Sequence, residues 1–315
     1  MARKIPSVSI VVPLYNKGRY VDRAIRSIFA QTFQDFEVVV VDDGSTDDGA
    51  EVVRRWVGDR LRLICQDNAG PGAARNRGIR ETSAPYLAFL DGDDEWLPLF
   101  IETYLDQIHR HSECDAVVGP TLYGTERRDV SAVWARMGVK EGVWFLHPHS
   151  TWQDLAQFVD LVGPCAALCR REAVERYGGY YSRHRCCFSE DKYLWIQIAL
   201  NHKVFRLTQS LFWYHVENSQ LYPPAAYGRA GFVPPAITDP GPLYEHCPSA
   251  FLTILQKYLC HVALGTLSQN AHTPEAPRLL EIVQGLPQKK AFAWRYLKAL
   301  VKVMLYQKVW RPAGR

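Results

Sequence analysis

Three carboxylates lie close together at Asp91, Asp93 and Asp94, directly after the apolar run Tyr86–Leu90. A short apolar run of this kind is typical of a buried strand. Neighbouring carboxylates raise one another's pKa unless a cation offsets their repulsion, and hard divalent cations prefer oxygen ligands. The cluster therefore predicts metal-assisted chemistry on a phosphorylated substrate. The alternative is a solvated acidic loop that opens a helix, where aspartate is favoured.

Strand-like and helix-like segments alternate through the first part of the chain. The strand candidates are Ser7–Val12, Phe36–Val41, Leu61–Ile64, Tyr86–Leu90 and Ala116–Val118, and the helix candidates are Val21–Phe29, Ala50–Trp56, Ala73–Arg80 and Leu99–His109. This alternation predicts an α/β fold with a mainly parallel sheet. Ligands of such sheets bind beyond the carboxyl ends of the strands. The polar pairs Tyr15-Asn16 and Asp42-Asp43 and the acidic cluster should all meet at that edge.

A glycine-rich stretch, Gly70-Pro71-Gly72-Ala73-Ala74-Arg75, imitates a dinucleotide-binding fingerprint. Arg75 stands where the last glycine should be, and the stretch follows the third strand candidate instead of the first. We therefore expect no nicotinamide or flavin. The stretch indicates instead a turn that directs a helix N-terminus and Arg75 toward an anion.

Composition is that of an ordinary globular chain, with 315 residues, 47% hydrophobic and 22% charged residues. No uninterrupted apolar run approaches the ~18 residues of a membrane span, and the N-terminus lacks the pattern of a secretory signal. We therefore expect a cytoplasmic protein. The eight cysteines are expected to be buried thiols. Cys165, Cys169, Cys186 and Cys187 with His184 match no strong zinc-ligand spacing.

The C-terminal tail is strongly basic. Eight basic residues and no acidic residue follow Glu281, although the whole chain has a net charge of only +4. Basic and large apolar residues alternate at helical spacing in this tail, which indicates either a helix on an anionic membrane surface through 289–311 or a helix docked on the protein with a solvated basic face. No nucleic-acid recognition motif is present, so nucleic acid is not an expected partner.

Several blocks resemble the family 2 glycosyltransferases of GT-A fold, in matching order across residues 7–96. These blocks are Val8–Asn16 with Gln31-Thr32-Phe33, Val41–Asp47, Asn68–Gly78 and the Asp-x-Asp-like Phe89–Asp94. Beyond residue 96 the resemblance is limited to Ser189-Glu190-Asp191 with Trp195 and to Trp213-Tyr214-His215. A GT-A-type catalytic domain with a mostly helical C-terminal region is thus expected.

The resemblance implies a role for each matching residue. Pro13, Tyr15, Asn16, Asp43, Arg75 and Asp91 would bind the donor nucleotide, Asp93 and His215 the metal, and Asp191 would be the general base, with Asp42 and Glu190 in support. Asp43 would accept a hydrogen bond from the base, which favours uracil. Purely structural roles remain as alternatives. Asp42-Asp43 could form an Asx turn, Glu190-Asp191 could be carboxylates that stabilise a helix N-terminus, and His215 could be a core histidine.

The reaction implied is inverting transfer of a sugar from a nucleoside-diphosphate donor, with UDP favoured, to an acceptor hydroxyl, assisted by Mn²⁺ or Mg²⁺. The chain lacks the Gln-x-x-Arg-Trp block of processive synthases, so a single addition to a glycan or lipid-linked acceptor, in cell-surface polysaccharide or glycan synthesis, is expected. The alternatives are a sugar-phosphate nucleotidyltransferase and a non-catalytic membrane-associated binding module.

The expected organisation has three parts. Residues 1–221 form the catalytic domain, with a nucleotide-binding half at about 1–120 and an acceptor half at about 121–221. Residues 222–248 form a Pro/Gly-rich loop or linker, and 249–315 form the helical region with its basic tail. Within the acceptor half, Ser189 is the expected N-cap of a helix over Ser189–Ala199.

Overall fold

The computed structural model describes residues 5–218 and 232–309, without the side chains of 305–309. Within these ranges the chain forms two compact units. The first unit consists of residues 5–146 and 158–218, and the second of 147–157 and 232–309. The sequence suggested one continuous stretch up to residue 221, whereas this division assigns 147–157 to the second unit.

The first unit begins with the alternating elements that the sequence predicts, together with one short strand, Glu95–Trp96, that it does not predict. They are β1 (Val8–Leu14), α1 (Gly18–Phe29), β2 (Phe36–Asp42), α2 (Gly49–Arg54), β3 (Leu61–Cys65), α3 (Pro71–Arg80), β4 (Tyr86–Phe89), β5 (Glu95–Trp96), α4 (Phe100–Arg110) and β6 (Ala116–Val118). Helix α1 was predictable from its apolar spacing, because Val21, Ala24, Ile25 and Ile28 are all fully buried on one face.

The rest of the first unit combines strands of two to four residues with helices of five to twelve residues. They are β7 (Thr121–Tyr123), β8 (Arg128–Asp129), α5 (Ser131–Arg136), β9 (Gly142–Trp144), α6 (Trp152–Leu161), β10 (Ala167–Arg170), α7 (Arg171–Glu175), α8 (Glu190–Asn201), β11 (Val204–Arg206) and β12 (Phe212–Tyr214). Helix α6 starts in the segment assigned to the second unit. Strands of two to four residues are too short to show a period of two in the sequence.

The central sheet has eight strands in the order β3-β2-β1-β4-β10-β6-β11-β9. Strand β1 runs parallel to both β2 and β4, and β3 runs parallel to β2, while β10 and β9 run antiparallel to their neighbours. A second sheet has the order β5-β12-β7-β8. The expected α/β fold with a large, mainly parallel sheet flanked by helices is confirmed.

The second unit is helical, as expected for the C-terminal region. Its described helices are α9 (Pro235–Thr238), α10 (Gly241–Glu245), α11 (Leu252–Gln269), α12 (Ala276–Gly285) and α13 (Ala293–Val309). Trp152 explains why 147–157 belongs here, because its ring packs on His261 at 4.4 Å and on Phe292 at 5.4 Å between centroids. Residues 222–231 of the expected linker lie outside the described residues, and two short helices form in the rest of it.

One helical stretch of the second unit, Ser249–Gln269, is long and apolar enough to cross a membrane, with a mean hydropathy of 1.3. The sequence analysis expected no membrane-spanning segment because it looked only for uninterrupted apolar runs, and polar residues interrupt this stretch. Half of this stretch is buried inside the structure, which is also the pattern of a core helix. Length and composition alone are weak grounds for a membrane span.

Candidate active site

The polar loops predicted to share one edge follow three adjacent strands of the sheet. Strand β1 lies between β2 and β4, and all three run in the same direction. The three loops that carry Tyr15-Asn16, Asp42-Asp43 and Asp91–Asp94 therefore leave the sheet at the same edge. This edge and the start of helix α8 contain most of the residues singled out by the sequence.

The first two loops are joined by hydrogen bonds. Asn16 adopts a left-handed backbone (φ 52°), and its backbone N–H donates to Ser45 Oγ at 3.0 Å while its Oδ1 accepts from Thr46 N–H at 2.8 Å. The Asp42 Oδ1 accepts from Ser45 N–H at 3.0 Å, so the turn suggested as the alternative for Asp42 is present. Beside these contacts, Tyr15 is 43% exposed at the rim.

Asp43 is buried and already accepts three hydrogen bonds. Its Oδ1 accepts from Gln66 Nε2 at 2.7 Å and from Ala69 N–H at 2.9 Å, and its Oδ2 accepts from Gly70 N–H at 2.8 Å. An ionised carboxylate has about four acceptor positions. One position on Oδ2 therefore remains for a further donor.

The glycine-rich turn packs against the segment that precedes helix α8. Gly70 has φ +92°, and a Cβ there would lie 2.9 Å from the Cys186 carbonyl oxygen. At Gly72 a Cβ would lie 2.2 Å from the Tyr181 carbonyl oxygen. Only glycine lets helix α3 approach this closely, and the approach brings Arg75 next to α8.

Arg75 bridges two carboxylates from different parts of the chain. Its Nη2 lies 2.7 Å from Asp91 Oδ1, and its Nη1 lies 2.9 Å from Glu190 Oε1. The guanidinium is buried beside the Tyr180 ring, and its Nε has no hydrogen-bond partner among the described residues. The anions that the sequence predicted for Arg75 are thus, in this structure, two side chains of the same chain.

The acidic cluster is more buried than a solvated loop would be. Asp93 and Asp94 are 7% and 1% exposed. Burial is the main cause that raises the pKa of both carboxyl groups, and it raises the pKa of Asp94 well above its usual range. Lys17 Nζ lies 2.5 Å from Asp93 Oδ2. Asp94 Oδ1 accepts from the His215 backbone N–H at 2.9 Å.

Three side chains of this region could hold a metal ion together. The ligand atoms of Asp91, Asp94 and Cys165 all lie within 4.8 Å of one another. Burial raises the pKa of the Cys165 thiol well above its usual range, and its Sγ accepts from the Asp91 backbone N–H at 3.3 Å. The sequence reasoning counted Asp94 in the acidic cluster without a separate ligand role, considered Cys165 only for a zinc site, and did not single out Lys17. Only for Lys17 was a signal available, since a cation next to Tyr15-Asn16 faces the loop after the neighbouring strand.

His215 lies close to the acidic cluster, but its ring faces two glutamates. Its Nδ1 lies 2.9 Å from Glu217 Oε1, and its Nε2 lies 2.8 Å from Glu95 Oε1. The side chain is 4% exposed. A ring with both nitrogens hydrogen-bonded has no free lone pair, so the expected metal contact requires one of these bonds to open.

Helix α8 presents Glu190 and Asp191 in its first turn. Ser189 occupies the N-cap position with a left-handed φ of 59°, but its side chain makes no capping hydrogen bond. Burial raises the pKa of Glu190 to about 7, with Asp191 adding to the rise and Arg75 opposing it. Asp191 is half-buried, and its carboxylate accepts no hydrogen bond from the described residues. This leaves Asp191 the freer of the two acids.

The cysteines only partly follow expectation. Cys114, Cys165, Cys169 and Cys260 are buried, but Cys65 and Cys187 are exposed and Cys186 and Cys247 are half-buried. The expectation that all are buried is therefore wrong, because Cys65 ends a strand at the sheet edge and Cys187 lies in an exposed loop. Among the described residues, the suggested Cys/His set does not converge on a metal-binding cluster.

Comparison with known proteins supports the family resemblance that the sequence shows. The sequence model "Glycosyl transferase family 2" matches residues 9–178, more than half of the chain. The uncharacterized glycosyltransferase YibD of Escherichia coli is 31% identical over 173 residues, which are 49% of each chain. The chain spans less than half the length of this and other curated relatives that it matches.

Two solved structures share the fold over nearly the whole chain. Residues 1–349 of Staphylococcus aureus TarS align over 98% of this chain and 92% of that chain, with a TM-score of 0.63 and 17% identity. TarS was also solved in complex with UDP and with UDP-GlcNAc. The mannosyltransferase PcManGT of Pyrobaculum calidifontis, in complex with GDP-Man and Mn²⁺, aligns over 98% of this chain and 88% of that chain, with a TM-score of 0.56 and 18% identity.

Proposed function

The chain belongs to glycosyl transferase family 2, and from this membership we propose an inverting enzyme that moves a sugar from a UDP-linked donor to an acceptor hydroxyl in a single addition. The acceptor class that we propose is a glycan or a lipid-linked glycan of cell-surface polysaccharide synthesis. One observation carries the proposal. The Asp91–Arg75–Glu190 ion pairs join the acidic loop after β4 to the first turn of helix α8.

This link brings two chemical requirements together. A departing nucleoside diphosphate gains negative charge, and an acceptor hydroxyl must lose a proton as it attacks. The acidic loop supplies carboxylates for the donor side, and Asp191, next to Glu190 in α8, supplies a base for the acceptor side. Arg75 sets the distance between them, because it holds both carboxylates with one rigid guanidinium.

For the donor, we propose that the nucleotide lies over the carboxyl ends of β1 and β2. Tyr15 is exposed at this rim beside the half-buried Pro13, and Asn16 fixes the loop that carries them. The remaining acceptor position of Asp43 would take the N–H of a uracil base, with Asp42 holding the turn. The UDP complexes of TarS support a uridine donor, whereas the GDP-Man complex of PcManGT makes GDP the second choice.

The residues present fit a divalent cation. Asp91, Asp93 and Asp94 crowd three carboxylates into a largely buried loop, and Lys17 is the cation paired with Asp93. Their hard oxygens suit Mn²⁺ or Mg²⁺ better than does the protonated thiol of Cys165. We propose that Asp93 and its neighbours hold this ion, with His215 as a further contact if its ring is released. When bound, the ion would stabilise the charge of the leaving diphosphate as a Lewis acid.

For the transfer itself, we propose Asp191 as general base. Its carboxylate takes the proton of the acceptor hydroxyl, whose oxygen forms a bond to the anomeric carbon as the bond from that carbon to the diphosphate breaks. A single displacement of this kind inverts the anomeric configuration. Asp191 and His215 lie beyond the part of the chain that the family model matches, so their proposed roles are supported only by the short resemblances around them and by the position of Asp191 beside Glu190 in α8.

The test combines binding with turnover. Calorimetry with UDP, GDP and dTDP, each with and without Mn²⁺, should show metal-dependent binding of UDP. Asp191→Asn should keep that binding and lower the rate of UDP-sugar hydrolysis, in which water replaces the acceptor, by about 10²–10⁴-fold. Asp160→Asn is the matched control, because this exposed aspartate pairs with Lys192, the residue after Asp191.

Each result has a definite meaning. Hydrolysis at the native rate in Asp191→Asn would remove this residue as the base. Absence of binding by any nucleotide would favour the non-catalytic binding module. Release of pyrophosphate from a nucleoside triphosphate and a sugar phosphate would favour the nucleotidyltransferase.

A further inference from the structure

Four large apolar side chains of helix α13 face the solvent. Trp294, Leu297, Val301 and Met304 are 67%, 51%, 47% and 57% exposed. Their spacing of three, four and three residues places them within one ~80° arc of the helix, which we call the apolar stripe. Exposed apolar residues that occur singly are ordinary, but a continuous row of four on one helix indicates a surface that binds something.

The other side of α13 holds the helix in place. Ala299 and Val303 are buried in the core of the second unit, and Phe292 and Tyr296 pack against the same core. The helix therefore has a separate packing face, roughly opposite the apolar stripe. Because the stripe takes no part in that packing, its residues can be changed without removing core contacts.

A row of basic residues borders the apolar stripe on one side. It consists of Arg295, Lys298 and Lys302, which fall in the arc between the stripe and the packing face. Arg295 Nη1 lies 2.6 Å from His261 Nδ1, and Lys302 Nζ donates to the Ser268 carbonyl oxygen at 2.6 Å. Lys298 Nζ lies 5.1 Å from the Trp294 ring centroid. These contacts fix cations along the edge of the stripe.

We propose that the apolar stripe and its basic border bind the surface of a membrane with anionic headgroups. The apolar side chains would enter the acyl boundary while the cations meet lipid phosphates, and the helix would lie in the plane of the interface. Trp294 suits this position, since indole combines a large apolar ring with a polar N–H.

Charge argues against a second copy of the chain as the occupant. Two stripes placed face to face would bring two basic borders together, and no acidic residue follows Glu281 to neutralise them. An anionic surface removes that repulsion and attracts each basic residue that lies near the headgroups. The proposal rests on the second unit alone and does not depend on the proposed transferase activity.

The experiment is co-sedimentation of the full chain with vesicles of phosphatidylcholine, with and without phosphatidylglycerol. We expect binding only where phosphatidylglycerol is present, and weaker binding at high salt because the charges are then screened. The variant Leu297→Gln/Val301→Gln/Met304→Gln should lower the partition coefficient about tenfold or more. The control Val57→Gln/Leu99→Gln changes two side chains of similar exposure in the first unit and should bind like the native chain.

Three outcomes would overturn the proposal. They are no sedimentation of the native chain with anionic vesicles, equal binding by the triple variant, or a native dimer that the triple variant converts to monomer in sedimentation velocity. Circular dichroism of the same samples reports whether the native chain and the variants are folded, and UDP binding is measured separately. A failure at the membrane is thereby distinguished from a failure of the proposed donor site.

Discussion

Lys17 and Asp93 form an ion pair between the loops that follow β1 and β4, with Nζ 2.5 Å from Oδ2. The lysine side chain is 14% exposed and the aspartate side chain 10%, so the pair is largely removed from water. Lys17 Nζ also donates to the Asn218 carbonyl oxygen at 2.7 Å. The lysine is thus the nearest positive charge to the carboxylate that the sequence favoured as metal ligand.

Replacing Lys17 with Met should therefore make the acidic cluster more dependent on an added cation. The change leaves Asp93 buried without its partner, and breaking such a pair costs about 3–5 kcal/mol of unfolding free energy. Added Mn²⁺ should raise the melting temperature of this variant more than that of the native chain. Arg26→Met, which removes an exposed pair with Asp22, is the control and should cost about 1 kcal/mol or less. Equal Mn²⁺ effects in both variants would contradict the expectation.

The variant Arg75→Lys should show whether the bridge needs only a positive charge or also the fixed geometry of the guanidinium. Lysine keeps the positive charge but cannot reach Asp91 and Glu190 with two fixed nitrogens as arginine does. We expect kcat for UDP-sugar hydrolysis to fall about tenfold or more, with a smaller change in UDP affinity, because the proposed base and the proposed donor loop lose their fixed separation. The control is Arg77→Lys, because Arg77 lies on the same helix but forms only a half-buried pair with Glu81 just after the helix end. A native kcat in Arg75→Lys would show that the bridge is structural only.

The raised pKa of Glu190 predicts a direction for the pH dependence of stability. Its folded pKa of about 7 lies above its ordinary value of 4.5, so the folded state binds more protons than the unfolded state between these values. The free energy of unfolding should therefore fall as the pH rises from about 4.5 to about 7. Asp93 and Asp94, whose pKa values are also raised, contribute in the same direction.

Glu190→Gln should flatten that slope, because glutamine binds no proton in either state. Urea unfolding at several pH values measures the slope of the unfolding free energy against pH. Glu51→Gln, on the surface of α2, serves as the comparison and should leave the slope as it is. A slope in Glu190→Gln as steep as in the native chain would mean that other groups cause it.

Gly72→Ala should disturb the approach of α3 to the segment before α8. The added Cβ would lie 2.2 Å from the Tyr181 carbonyl oxygen, and backbone cannot move aside cheaply. We expect a loss of about 1–3 kcal/mol of unfolding free energy, as for overpacked positions, together with a lower kcat. Gly163→Ala meets nothing within 4 Å and should change neither quantity. Thermal unfolding and UDP-sugar hydrolysis check both variants.

Sequence reasoning was accurate where the elements are long and regular. Strands β1 and β2 are buried on both faces and α1 has one apolar face, so each was predicted within a few residues. The short strands β7 and β8 were missed because two or three residues carry no periodicity.

The meeting of the loops at one sheet edge was also predictable, because it follows from strand direction. The contacts between individual side chains of the site were not predictable. Arg75 meets Glu190 across 115 positions of sequence, and Lys17 meets Asp93 across 76. No local pattern encodes a contact of that separation, since it depends on how α3, α8 and the sheet pack. The contact of Asp94 with the backbone of His215 was not predictable for the same reason.

The bridge through Arg75 has a consequence for exchanging parts between relatives. Asp91 and Arg75 lie in the first 120 residues, whereas Glu190 lies well beyond them. A chimera that joins the first 120 residues of this chain to the corresponding later segment of a relative would inherit a buried arginine. Unless the graft brings a carboxylate at the position of Glu190, that arginine would lose one of its two counter-charges. The segments before and after residue 120 are therefore not freely interchangeable, and compatible pairs should be recognisable from these three positions.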